Sequence, residues 1–275
     1  MSLPLSFAVS VEQTAFEAVG KAGPLEEHFG RLAEIGYDGI ELAVRNPGRV
    51  DRDKVLSLKE RTGLSVSALG TGQAYGDEGL SLTDPEEQVR KATRDRLRDH
   101  IDLAYCLGIQ VVIVGLIRGN STPGMGRKRC MELVSAALQE LGPVAFEHGV
   151  WLVVEPINRY ETDLVATLEE AGRLIEESGS QGLGLLPDTF HMNIEEADPL
   201  GALSKFGGKA RHFHVADSNR WAPGHGHLDF AAHLNSLVEG GYGGWVSVEC
   251  LPRPEDAAFS AFHALSKVPA LGRHP

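Results

Sequence analysis

Two hydrophobic rhythms alternate along this chain from end to end. Short apolar runs rich in β-branched residues are followed by longer stretches whose apolar positions return at i, i+3, i+4 and i+7. The short runs cover residues 5–9, 39–43, 65–69, 110–115, 150–155, 183–187, 211–215 and 245–249, and they predict eight strands. The helical period is clearest in Cys130, Leu133, Val134, Ala137, Leu138 and Leu141. A second stripe, Leu164, Leu168, Ala171 and Ile175, stops at Ser178-Gly179. Further helices are predicted over 24–35, 51–61, 85–107, 229–239 and 255–265. Strands and helices alternating at this length predict a parallel α/β protein, a (β/α)8 TIM barrel. No Pro, Gly and Ser-rich linker interrupts it, so residues 1–275 read as a single TIM-barrel domain. The longer strand-to-helix connections, 70–84, 116–127, 158–162, 189–198 and 216–228, fall on the C-terminal face of such a barrel, where barrel chemistry resides.

The strand tips carry the chemistry. The run Leu152-Val153-Val154 ends on Glu155 and is broken by Pro156; Asp188, His214 and Glu249 stand at or near the ends of the next three strands. Taken singly, an acid at a strand end is more often a cap or an ion-pair partner, and His214 alone could be an ordinary barrel histidine. Together, at the neighbouring tips of strands five to eight, they would be expensive to bury without a cation. Three carboxylates and one imidazole suit Mn²⁺, Mg²⁺ or Co²⁺ better than structural zinc. Glu161, His191, Arg220 and Arg118 follow strand ends on the same face and are candidates for substrate contact. His225-Gly226-His227 reads as a turn beside Pro223-Gly224. Gly70-Thr71-Gly72 lacks the features of a phosphate loop, and no nucleophile elbow is present. Cys250, adjacent to Glu249 on a strand, should face the opposite way and pack in the core.

Composition narrows the partners. The formal net charge of −12 opposes phosphate backbones and anionic membranes, which excludes nucleic acid and membrane as expected partners. No apolar run approaches the roughly 20 residues a membrane helix needs. Three scattered cysteines give no disulfide framework and point to a reducing cytoplasm. The N-terminal residues 1–7 read as a first strand, not a signal peptide.

The segments Glu155–Glu161, Asp188–Glu196, His212–Arg220 and Val248-Glu249 resemble those of the ketose 3-epimerases, in the xylose-isomerase-like TIM-barrel superfamily. The resemblance implies one divalent metal, usually Mn²⁺, on Glu155, Asp188, His214 and Glu249. It also implies Glu155 and Glu249 as the acid/base pair, Glu161, His191 and Arg220 as substrate-binding residues, and a homo-oligomer. A narrower resemblance, to the 5-keto-L-gluconate epimerases of inositol catabolism, rests on Gly70–Tyr75, Gly79–Thr83, the Gly-x-x-Arg-Gly around Arg118, Asn219–Pro223 and Ser247–Pro252. It implies a keto-uronate substrate, 5-keto-L-gluconate or D-tagaturonate, whose carboxylate would pair with Arg118 or Arg220. The expected reaction removes a proton beside the ketone, through a metal-stabilised enediolate, and returns it to the opposite face. An aldose-ketose isomerase would use the same site and return the proton elsewhere. A non-catalytic sugar-binding barrel would not need two carboxylates flanking a metal. Apurinic endonucleases of the superfamily recruit extra histidines after strands three and four, where this chain has Gly70-Thr71-Gly72 and Gly115.

Overall fold

The structure, a computed structural model, describes residues 2–14 and 23–272. Its strands are β1 (Leu5–Ser10), β2 (Gly39–Ala43), β3 (Ser65–Gly70), β4 (Val111–Val114), β5 (Trp151–Val154), β6 (Leu183–Leu185), β7 (Phe213–Val215) and β8 (Val246–Val248). Consecutive strands from β1 to β6 pair in parallel, β8 lies between β1 and β7, and all pairings are parallel. Isolated parallel bridges, Leu185 to Ala210 and Asp188 to His214, join β6 to β7 and close the ring. The (β/α)8 barrel expected from the alternation is therefore the fold observed.

The helices are α1 (Leu25–Ile35), α2 (Arg52–Thr62), α3 (Gly72–Glu78), α4 (Glu87–Leu107), α5 (Gly126–Glu147), α6 (Leu168–Ser178), α7 (Thr189–Glu195), α8 (Pro199–Phe206), α9 (Phe230–Glu239) and α10 (Ala257–Leu265). Three of them, α3, α7 and α8, fall where the hydrophobic period gives no warning. Each is short, and two are started by side chains: Asp188 caps α7, and Asp198 caps α8 ahead of Pro199 at its first position. Leu164 lies before α6, because Thr167 accepts the backbone N–H of Glu170 at 3.2 Å and fixes the helix start there.

Strand alternation sorts the core into two shells. Leu152 and Val154 face outward into the large layer between sheet and helices, whereas Val153 joins Ala68, Val111, Ile113 and Leu186 inside the barrel. On β7, Phe213 and Val215 belong to the outer layer. His212 and His214 therefore point inward. The same parity turns Glu41, Glu155, Ser247 and Glu249 to the barrel axis. Burying each outer Leu or Val stabilises by roughly 1.5–3 kcal/mol, so the hydrophobic layer fixes the register that sends these polar groups inside.

Candidate active site

Glu155 and Glu249 lie one residue beyond β5 and β8, Asp188 caps α7, and His214 is the central residue of β7. The Nδ1 atom of His214 is 3.3 Å from Glu155 Oε1, 3.5 Å from Glu249 Oε2 and 3.8 Å from Asp188 Oδ2. One ligand atom from each of the four residues falls within 4.8 Å of all the others. Glu155 Oε1 and His214 Nδ1 are buried with no hydrogen-bond partner among the described residues. Asp188 is anchored through Oδ1, which accepts the backbone N–H groups of Phe190 at 2.7 Å and His191 at 3.0 Å. Gly115 leaves room for the cluster, since a Cβ there would stand 2.7 Å from Glu155 Oε2.

Such a cluster is electrostatically unbalanced without a cation. Burial, with the charges of Glu249 and Asp188, pushes the Glu155 carboxyl up to about 7. Burial and Glu249 push Asp188 up to about 6. Burial alone would lower His214, but the carboxylates of Glu41 and Glu249 outweigh it and hold the imidazole well above its ordinary value. Orphaned acceptors, mutually repelling carboxylates and a mostly hard-oxygen donor set fit one divalent cation.

Glu41, which the sequence reading passed over, completes the arrangement from below. Its carboxylate accepts His212 Nε2–H at 2.7 Å and lies 3.1 Å from His214 Nε2 through both oxygens. Burial opposes its charge, but His214 and His212 together hold it below the usual carboxylate range. An acceptor at Nε2 leaves the Nδ1 lone pair of His214 free to face the cluster, the carboxylate–histidine–metal relation. The clue was present in the sequence: Glu41 is an acid in the middle of a five-residue strand, Gly39–Ala43, that is buried throughout.

A cleft opens over these residues, with Glu155, Glu249, Glu161, His191, Arg220 and Gln73 in its wall. Glu161 accepts from Arg220 Nη1 at 2.7 Å and from Asn158 Nδ2 at 2.8 Å. Arg220 adopts φ +62°, a conformation side chains rarely take, and its guanidinium lies 5.0 Å from the centre of the Phe190 ring. Asn158 Oδ1 accepts the Tyr160 N–H, so its Nδ2 donates to His191 Nδ1 at 2.7 Å. That bond places the remaining proton of His191 on Nε2, and burial keeps the ring neutral by holding its pKa well below the ordinary value.

Arg118 departs from expectation. It is fully buried and does not line the cavity. Its Nε, Nη1 and Nη2 donate to the backbone carbonyls of Leu164, Gly115 and Val165 at 2.9, 2.8 and 3.1 Å. Burial lowers its pKa to about 10, which still leaves it charged at neutral pH. Each of the three guanidinium nitrogens is engaged by a buried carbonyl of the preceding or following loop, so Arg118 ties the rim together from outside the cavity wall. The 225–227 segment is an exposed turn gathered by Asp217, whose carboxylate accepts the N–H groups of Ser218, Gly224 and Leu228. Cys250 is buried, as its parity required.

The chain belongs to the xylose isomerase-like TIM barrel family, whose model matches residues 29–265. It is 31% identical over 242 residues to the L-ribulose 3-epimerase of Mesorhizobium japonicum, covering 88% of this chain and 80% of that one. To the 3-dehydro-D-guloside 4-epimerase of Escherichia coli K12 it is 30% identical over 239 residues, covering 84% and 89%. The solved structure of 3-keto-D-glucoside 4-epimerase from E. coli superposes with a TM-score of 0.82 at 25% identity, covering 98% of this chain and 99% of that one. By these relationships the protein is a carbohydrate epimerase or isomerase. Among the described residues no helix is long and apolar enough to cross a membrane.

Proposed function

We propose that this protein is a divalent-metal-dependent epimerase of an unphosphorylated keto sugar, inverting the carbon next to the ketone by passing a proton between Glu155 and Glu249. The observation that carries the proposal is that these two carboxylates, from strands separated around the rim, meet at one cluster, 3.3 and 3.5 Å from the same imidazole nitrogen. A cation held by Glu155, Asp188, His214 and Glu249 supplies the Lewis acid that stabilises charge developing on the ketone oxygen. One glutamate takes the proton from the adjacent carbon. The other, across the planar enediolate, returns a proton to the opposite face. His191 presents a neutral Nε2–H to a substrate oxygen, and Glu161 and Arg220, paired to each other, hold adjacent hydroxyls as acceptor and donor.

Incubation with Mn²⁺ and a panel of ketoses and keto-uronates in D2O tests this reading. Deuterium should enter at the carbon next to the ketone, with the epimeric ketose as product. An aldose product would assign the isomerase reaction instead, and absence of exchange with every sugar would remove the catalytic reading. The proposed substrate is the keto-uronate pair 5-keto-L-gluconate and D-tagaturonate, on the strength of the sequence segments named above. With Arg118 engaged elsewhere, Arg220 is the guanidinium in the cavity wall to which its carboxylate can turn. Arg220→Ala should then lower the specificity constant for D-tagaturonate more than that for D-tagatose. Equal efficiency of the wild type on acid and neutral sugars retires the keto-uronate and leaves the epimerase standing.

A further inference from the structure

Gln73, in the first turn of α3, lines the same cavity yet has no part in the proton transfer. It is fully buried. Its Nε2 donates to Ser10 Oγ at 2.6 Å, and Ser10 in turn spends its own hydroxyl proton on the carbonyl of Glu12. Ser10 can therefore only accept from Gln73, which fixes the amide with nitrogen toward β1. The other end, Oε1, is buried and has no hydrogen-bond partner among the described residues. A buried amide oxygen left unpaired is unfavourable, and a polar group in that condition in a cavity wall is matched when a ligand supplies the donor.

We infer that Gln73 Oε1 accepts a hydrogen bond from a substrate hydroxyl and that Gln73 thereby selects the part of the sugar chain not held at the metal cluster. The inference rests on the keto-sugar reading above and deepens it. Gln73 comes from the β3 side of the rim, whereas the four candidate metal ligands come from β5, β6, β7 and β8. A ketose reaching both presents to Gln73 a carbon away from the metal cluster. Because Oε1 is an acceptor held in place by Ser10, it favours a hydroxyl and repels a carboxylate at that carbon. Substrates oxidised there to an acid, or deoxygenated there, should be discriminated against.

The test pairs enzyme variants with deoxy sugars. Gln73→Met preserves length and removes both polar atoms, and Gln73→Glu preserves an acceptor toward the cavity while Ser10 turns its hydroxyl to the second oxygen. With Mn²⁺-loaded enzyme, D-tagatose and its 4-, 5- and 6-deoxy derivatives are compared by kcat/KM, with melting temperature and Mn²⁺ content measured alongside. Gln73→Met should lower kcat/KM for D-tagatose by about 10–100-fold, the effect of leaving one buried hydrogen bond unmade. One deoxy sugar should lose a similar factor in the wild type and nothing further in Gln73→Met, and Gln73→Glu should recover most of the loss. Full additivity of the substitution and every deoxygenation, or an unchanged kcat/KM in Gln73→Met, overturns the assignment. Should the wild type show no exchange, calorimetric Kd values for D-tagatose on the same proteins make the same comparison. Binding that is indifferent to Gln73 then overturns this inference alone, and absence of binding overturns it together with the keto-sugar reading.

Discussion

Replacing Glu41 by Gln tests whether the cation site is built by its four ligands alone or also by the acid beneath them. The glutamine keeps the volume of the buried side chain but removes its charge and one of its two acceptor oxygens. In either amide orientation its –NH2 stands 3.1 Å from the His214 Nε2–H. One bond is lost and the other ceases to be charge-assisted, a combined effect of about 1.4–2.7 kcal/mol. Since the affected atom is the back of a ligand imidazole, that energy should appear in metal affinity as a Kd raised about 10–100-fold. The free Mn²⁺ signal in a spin-resonance titration at pH 8 measures it directly. Glu41→Ala removes both acceptors and should in addition destabilise the metal-free protein by about 3–5 kcal/mol in denaturant unfolding. The two readouts separate the roles: a merely structural Glu41 would lower stability while leaving the Kd of folded protein unchanged. A Glu41→Gln Kd within twofold of wild type would falsify the argument.

Three further outcomes are expected. Glu155→Gln and Glu249→Gln should each reduce epimerisation by at least about 10²–10⁴-fold, and near-normal turnover of either, with metal shown bound, removes the two-carboxylate mechanism. Cation binding should strengthen as pH rises from 6 to 8, because Glu155 and Asp188, pushed up to about 7 and about 6, and His214, raised above its ordinary value, must release protons to the incoming metal. Calorimetry in buffers of different ionisation enthalpy should register that release, and a pH-independent Kd with no released protons contradicts it. Arg118→Lys should lower stability by about 1–3 kcal/mol, since one ammonium cannot span the carbonyls of Gly115, Leu164 and Val165. The acid-to-neutral sugar preference should be unchanged in that variant, and a shifted preference would return Arg118 to the site.

What could be read from the sequence and what could not divide along a physical line. A buried parallel strand writes itself as a continuous apolar run, so all eight were legible, and an acid or histidine at the tip of such a run stands out because nothing apolar competes with it. Glu155, Asp188, His214 and Glu249 were found in that way. Their convergence required only that consecutive strands be neighbours. Glu41 belongs to the same polar group but sits inside its strand, where a single acid reads as a loss of hydrophobicity; the partner that explains it, His212, is 171 positions away. The short helices α3 and α7 were illegible for a different reason: one or two turns are too few to establish a period, and the start of α7 is decided by a single side chain, Asp188. Gln73, though inside the Gly70–Tyr75 segment, was not singled out as a site residue. Arg118 lies outside the cavity wall. Its position after a strand end matched a substrate contact, but an arginine near buried loop carbonyls is drawn to them, and sequence spacing contains no information about which carbonyls the folded loops leave unpaired. Under the proposed function the distinction bears on how the cavity would select its sugar: residues at strand tips would set the chemistry, whereas the groups left to recognise the rest of the molecule depend on what their neighbours have already engaged. Arg118 is engaged through all three of its nitrogens by backbone carbonyls, while Gln73 is engaged at one end and is left with an acceptor to fill.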